Sequence, residues 1–109
     1  MRSALGVSVP VMAYAVAGRT FRTKAEVTAA ANAVRDSVPI GGEVTGDGRT
    51  FMLELLAHHE EADEKIRDGV TRLSTMRNAF GTVSFKVERT DGSEDDFSVP
   101  TCVKGLPRS

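Results

Sequence analysis

The sequence predicts an α+β fold: a mainly antiparallel four-stranded sheet with two helices packed on one face, in the order β-α-α-β-β-β. Three observations predict it. Two stretches between Thr23 and His59 place apolar residues at helical spacing, and from Val70 onward the period falls to two. An Asp91-Gly92 turn then separates two alternating runs, the mark of a hairpin. Helices that precede a run of strands pack on one face of an antiparallel sheet.

The N-terminal residues come first. Arg2 precedes an apolar run from Ala4 to Ala17, with Ala13-Tyr14-Ala15 spaced like a signal-peptidase site. Ser8 and Pro10 interrupt that run, and Tyr14 to Phe21 reads as a first strand turning at Gly18-Arg19. Cleavage after Ala15 would remove half of that strand. We therefore expect residues 1–12 to be a flexible extension, with Met12 an alternative start. Residues 13–105 then form one domain, and 106–109 a flexible tail. No run approaches the roughly 20 apolar residues of a membrane span.

Thr23-Lys24-Ala25-Glu26 is a capping box. Behind it Val27, Ala30, Ala31, Val34 and Val38 form one apolar stripe that ends at Pro39. The glycines at 41, 42, 46 and 48 follow no phosphate-loop pattern and read as a flexible connection, with Asp47 the expected N-cap of the second helix. Phe51, Met52, Leu55 and Leu56 give that helix a wide apolar face, with His59 at its edge. The acidic run from Glu60 to Glu64 leads to Lys65, Ile66 and a stop at Gly69. Glu61 and Lys65 are spaced for an ion pair on a helical turn, and Ile66 is its anchor.

Thr71, Leu73 and Thr75 form one face of the next strand, with Val70, Arg72, Ser74 and Met76 on the other. After the loop Asn78 to Gly81, Val83, Phe85 and Val87 alternate with Ser84, Lys86 and Glu88. Parity then types the hairpin. A two-residue turn would pair Phe85 with Ser98 and turn Phe97 to the polar face. A three-residue loop, Thr90-Asp91-Gly92 with Gly92 left-handed, pairs Phe85 with Phe97 and Val83 with Val99, and sets Lys86 opposite Asp96. A one-residue slip inverts every side chain, so the apolar pattern selects the longer loop. A short turn from Pro100 to Gly105 closes the domain.

A chain of 109 residues is one domain, and at this size roughly 65% of the unfolded surface is buried, enough for a core without disulfide or metal. A net charge of −1 excludes coating nucleic acid by bulk charge but leaves room for a local patch. Arginine supplies 10 of the 14 basic residues; that bias suits phosphate contact and equally reflects a GC-rich bacterial genome. With Cys102 as the single cysteine there is no disulfide framework, and a reducing, cytoplasmic setting is expected.

Chemistry-bearing residues are sparse. His58 and His59 are adjacent, so they point about 100° apart and cannot share a metal; one closes the helix C-terminus, where the dipole favours imidazolium. Cys102 has only His59 as a prospective base and reads as a buried apolar thiol. Asp91, Glu94, Asp95 and Asp96 lack calcium-loop spacing and suit a solvated turn. No metal, cofactor, catalytic group or small-molecule substrate is indicated. The best local case is a polar sheet face with Arg72, Lys86 and Arg89, and with Arg19, Arg22 and Lys24 near the first helix start, facing phosphates. It has no aromatic platform, since every Phe is expected in the core.

Phe51 to Gly105, with its helix-ending histidine, acidic turn to Lys65 and Gly69, and hairpin closing on Asp96-Phe97-Ser98, resembles the small "defective chloroplasts and leaves" family. That family is a domain of unknown function found in plant organelle proteins, in C-termini of plant-specific RNA polymerase largest subunits and in bacterial proteins. Its carriers here include Phe21, Leu55, Leu56, Phe85, Arg89, Asp91, Gly92 and Cys102. Glu60 stands where the family usually has proline and Arg67 where it commonly has glycine. The resemblance implies a non-catalytic accessory module of RNA metabolism, binding structured RNA in rRNA processing or transcription, or an RNA-associated protein. Lys65, Arg72, Lys86 and Arg89 are the expected RNA contacts; the polar positions shared with the family are His59, Lys65, Arg89 and Asp96. The alternative is a protein-interaction or homodimerisation module without nucleic-acid contact.

Overall fold

Residues 13–107 are described by the structure, a computed structural model; the expected extension 1–12 lies outside them. Ala17 and Gly18 both adopt positive φ, 53° and 77°, as a two-residue type I′ hairpin turn requires. The chain reverses after three strand residues, so β1 (Tyr14–Val16) and β2 (Arg19–Phe21) pair with each other, Tyr14 opposite Phe21. This corrects the expected four-stranded sheet. The hairpin is a sheet of its own, and three later strands make a second one.

Helix α1 (Lys24–Asp36) starts at the capping box: Thr23 Oγ1 accepts the Glu26 N–H at 3.1 Å. Glu26 reaches one residue past the cap, taking the Arg22 N–H at 2.7 Å. Val27 and Ala31 are buried, with Ala30, Val34 and Val38 packed beside them.

The glycine-rich stretch that follows is not the expected flexible connection. It runs along the edge of β3 (Val70–Arg77): Gly41 N–H donates to the Thr75 carbonyl (2.9 Å), Thr75 N–H to that of Gly42 (3.2 Å) and Val44 N–H to that of Leu73 (2.8 Å). Thr75 Oγ1 adds a bond to the Pro39 carbonyl at 3.0 Å, and Val44 is buried. Strand edges leave N–H and C=O groups unmet, and this segment meets them. Thr45, not Asp47, is the N-cap of α2 (Gly46–Leu56). Asp47 lies in the first turn, where the dipole favours a carboxylate. Phe51, Met52, Leu55 and Leu56 are all buried as the periodicity requires.

The acidic run winds into a five-residue helix, α3 (Ala62–Ile66), with no fully buried residue. Lys65 turns from Glu61 toward the sheet, as described below. β3 pairs antiparallel with β4 (Val83–Arg89), and β4 with β5 (Glu94–Phe97). The hairpin register is the one parity selects: Phe85 faces Phe97, Lys86 faces Asp96, and Gly92 sits at φ 85°. The ladder stops there, so the expected Val83–Val99 pair does not form. Pro100 cannot donate to a ladder but suits a first helical turn, and the chain enters α4 (Val99–Lys104). The domain thus carries four helices where two are expected. α4 buries Val99, Cys102 and Val103, and Leu106 is also in the core, so the chain is anchored one residue into the expected tail. Gly105 closes against the turn that follows α2: a Cβ there would lie 1.9 Å from the His58 carbonyl oxygen.

One core results. Leu73, Phe85, Val87 and Phe97 line the inner face of the larger sheet and join the buried faces of α1, α2 and α4. The Phe85 and Phe97 rings stack with centroids 5.4 Å apart.

Candidate functional site

The four cations expected to contact RNA fall on two faces of the larger sheet. Arg72 and Lys86 stand on the outer face. Arg72 Nη1 donates to Glu88 Oε2 at 3.1 Å, and its Nε lies 3.8 Å from Glu43 Oε1. Lys86 Nζ is 3.6 Å from Glu94 Oε1. With Asp96 in the same phase of β5, this face sets two cations against four carboxylates and is mildly acidic.

Lys65 and Arg89 meet on the inner side, beneath α3. Arg89 is only 5% exposed, which corrects its expected place on a polar surface. Its guanidinium is spent on the protein: Nη1 donates to the carbonyls of Glu64 (3.2 Å) and Lys65 (3.1 Å), Nη2 to that of Glu94 (3.3 Å), and Nε to Ser93 Oγ (2.8 Å). Helix C-termini leave such carbonyls unpaired, so Arg89 joins α3 to the hairpin. Lys65 Nζ donates to Asp95 Oδ1 at 3.1 Å and to the Asp96 carbonyl at 2.8 Å, while Arg89 Nη1 lies 3.6 Å from Asp95 Oδ2. Burial opposes the Asp95 charge, but Lys65, the Asp96 N–H and Arg89 outweigh it, and its pKa is lowered. Sequence phase carried this signal: Arg89 continues the inner series Phe85-Val87, and Asp95 precedes Phe97 by two.

Of the four polar positions the resemblance singles out, His59, Lys65 and Asp96 line one open groove of about 340 Å³ with Ser98 and Thr101, and Arg89 is not among its lining residues. His59 Nδ1 accepts the Glu61 N–H at 2.9 Å. The Ser98 and Thr101 hydroxyls bond each other at 2.9 Å. Cys102 is fully buried, and burial pushes its thiol up to about 12, so it is no thiolate at neutral pH. Among the described residues no three His, Cys, Asp or Glu side chains gather as a metal site, and no helix is long and apolar enough to cross a membrane.

Four other cations lie on different elements. Arg19, Arg22, Lys24 and Lys104 occupy the hairpin, the start of α1 and the end of α4, and among the described residues none makes an ion pair. Lys24 Nζ bonds the Lys104 carbonyl at 3.2 Å and stands 5.8 Å over the Tyr14 ring. Arg19 lies 5.1 Å from the Phe21 ring and 5.2 Å from that of Phe51. Such stacking orders a guanidinium without neutralising it.

One aromatic breaks the expectation that every Phe is internal. Phe80, at the tip of the β3–β4 loop, is 91% exposed. Its place between Asn78 and Gly81, outside either alternating run, is the sequence signal for this.

The chain is a small α+β domain with a buried thiol and a sheet whose cations are paired with carboxylates. The chain belongs to a family described as protein of unknown function (DUF3223), whose model matches residues 32–103. It is also similar to an uncharacterized protein from Rhodospirillum rubrum with a solution NMR structure. The two are 33% identical with a TM-score of 0.75, over 81% of this chain and 85% of that one. No curated protein matches the sequence.

Proposed function

We propose that this protein is a non-catalytic accessory module that contacts structured RNA through its cationic end, formed by Arg19, Arg22, Lys24 and Lys104. The observation that carries this reading is the division of charge. Arg72, Lys86, Lys65 and Arg89 are each paired with a carboxylate, whereas these four make no ion pair among the described residues. A phosphate backbone is the partner that rewards unpaired cations, through counterion release. Arg19, held against two rings, keeps a guanidinium plane suited to an unstacked base. Kinship with the "defective chloroplasts and leaves" proteins, and their link to rRNA maturation and transcription, is the finer part of this proposal.

The test is fluorescence anisotropy of a labelled RNA hairpin, at salt between about 50 and 200 mM. Arg22→Glu and Lys104→Glu should each weaken binding several-fold and lower the salt slope by about one. Absence of binding at low salt, or indifference to both charge reversals, would refute the reading.

A further inference from the structure

The β3–β4 loop spends many hydrogen bonds on presenting one residue. Asn78 Oδ1 accepts the N–H groups of Phe80 (2.9 Å) and Thr82 (3.2 Å), and Asn78 Nδ2 donates to Thr82 Oγ1 (2.8 Å). Asn78 N–H donates to the Thr82 carbonyl (2.8 Å) and Gly81 N–H to that of Asn78 (3.0 Å). Arg77 Nη1 adds a bond to the Gly81 carbonyl at 2.7 Å. A large aromatic held in water by an ordered frame gains nothing for folding, but it loses little entropy when a partner covers it.

Ala79, its neighbour, lines an open groove of about 470 Å³ together with Met76, Lys86, Glu94, Asp95 and Asp96, and Asp95 is matched by Lys65 and Arg89. Lys86 is already matched by Glu94, and among the described residues no basic side chain pairs with the Asp96 carboxylate. The exposed Phe80 ring follows Ala79 in the chain, and Arg77 of the same loop is bonded to the Gly81 carbonyl. The groove lining is partly apolar with surplus negative charge. That charge repels phosphates and complements arginine or lysine, and an exposed ring is a natural face for a guanidinium.

We infer that the Phe80 loop and this groove form a docking surface for a basic, apolar peptide segment of a partner protein. Its aliphatic side chains cover Met76 and Ala79, and its arginines engage the Phe80 ring and the Glu94 and Asp96 carboxylates. This surface is separate from the cationic end, so either reading can fail without the other.

The experiment is an NMR amide-shift titration of the labelled protein with a synthetic peptide alternating arginine and leucine, alongside one with glutamate for arginine. We expect saturable shifts at Met76, Ala79 to Gly81 and Glu94 to Asp96 with the first peptide only. Phe80→Ser and the pair Glu94→Gln with Asp96→Asn should each weaken binding by roughly tenfold, as for an interface anchor. All three side chains are exposed, so the remaining spectrum should be unchanged. Four outcomes would overturn the inference: no saturable binding, equal binding of the glutamate peptide, shifts confined to Glu60 to Glu64, or indifference to Phe80→Ser. The same amides moving with RNA, or with protein concentration alone, would also overturn it in favour of a nucleic acid or a second copy.

Discussion

Arg67 offers the sharpest energetic test of the fold. It occupies the first corner of the turn from Ile66 to Gly69, closed by the Gly69 N–H on the Ile66 carbonyl at 2.9 Å. Its φ of 49° and ψ of −123° match the first corner of a type II′ turn, the place of glycine. A residue with a Cβ held there costs about 1–3 kcal/mol. Arg67→Gly removes that strain. Against it stand up to about 1 kcal/mol of backbone entropy and the ion pair from Arg67 Nη1 to Asp91 Oδ2. That pair spans 3.4 Å with both side chains about half exposed, so it contributes at most about 1 kcal/mol. The net expectation is a gain of about 1 kcal/mol, or about 4–8 °C in Tm for a domain near this size. Arg67→Ala is the control, because it loses the ion pair and keeps the strain. Urea melts of the three proteins should rank glycine above arginine and arginine at or above alanine. A glycine variant no more stable than the alanine variant would refute the claim that this corner is strained.

Gly105→Ala should destabilise by about 1–3 kcal/mol, since a Cβ there overlaps the His58 carbonyl; denaturant midpoints check this. Cys102 should resist a thiol reagent such as iodoacetamide in the native protein and react readily in denaturant, because burial raises its pKa to about 12; labelling rates followed by mass spectrometry decide it. Asp91 is held at about 2, first by the Ser93 hydroxyl and then by the Ser93 N–H. A depressed carboxylate stabilises the fold above its unfolded pKa of about 3.9 and loses that contribution as pH falls toward 2. The acid-unfolding curve of Asp91→Asn should therefore be flatter between those values.

The parts legible in the sequence are those governed by a short-range rule. Parity selected the hairpin loop because Phe85 and Phe97 must share a face, and the observed register follows it. The α2 core face and the Thr23 cap follow from spacing alone. What escaped depends on tertiary partners. Nothing local shows that residues 41–44 lie against β3, since their hydrogen bonds go to Leu73 and Thr75. The turn expected at Gly18-Arg19 falls one residue earlier, at Ala17-Gly18, because Ala17, a residue with no preference for positive φ, adopts it. Arg89 was legible by phase yet was placed by charge, and its burial depends on carbonyls from α3 that the sequence does not align with it. Of the shared polar positions, His59, Lys65 and Asp96 do converge on one groove.

The two borders of the three-stranded sheet bear on how the protein behaves when crowded. An open strand edge is a template on which other chains can polymerise. On the β3 side that template is occupied by residues 41–44 of the same molecule. On the β5 side it is four residues long and begins Glu94-Asp95-Asp96, so an incoming strand would meet a line of carboxylates. Fibre growth is obstructed at both ends by means that leave the outer face of the sheet uncovered, and a surface left open in this way is free to be used for recognition.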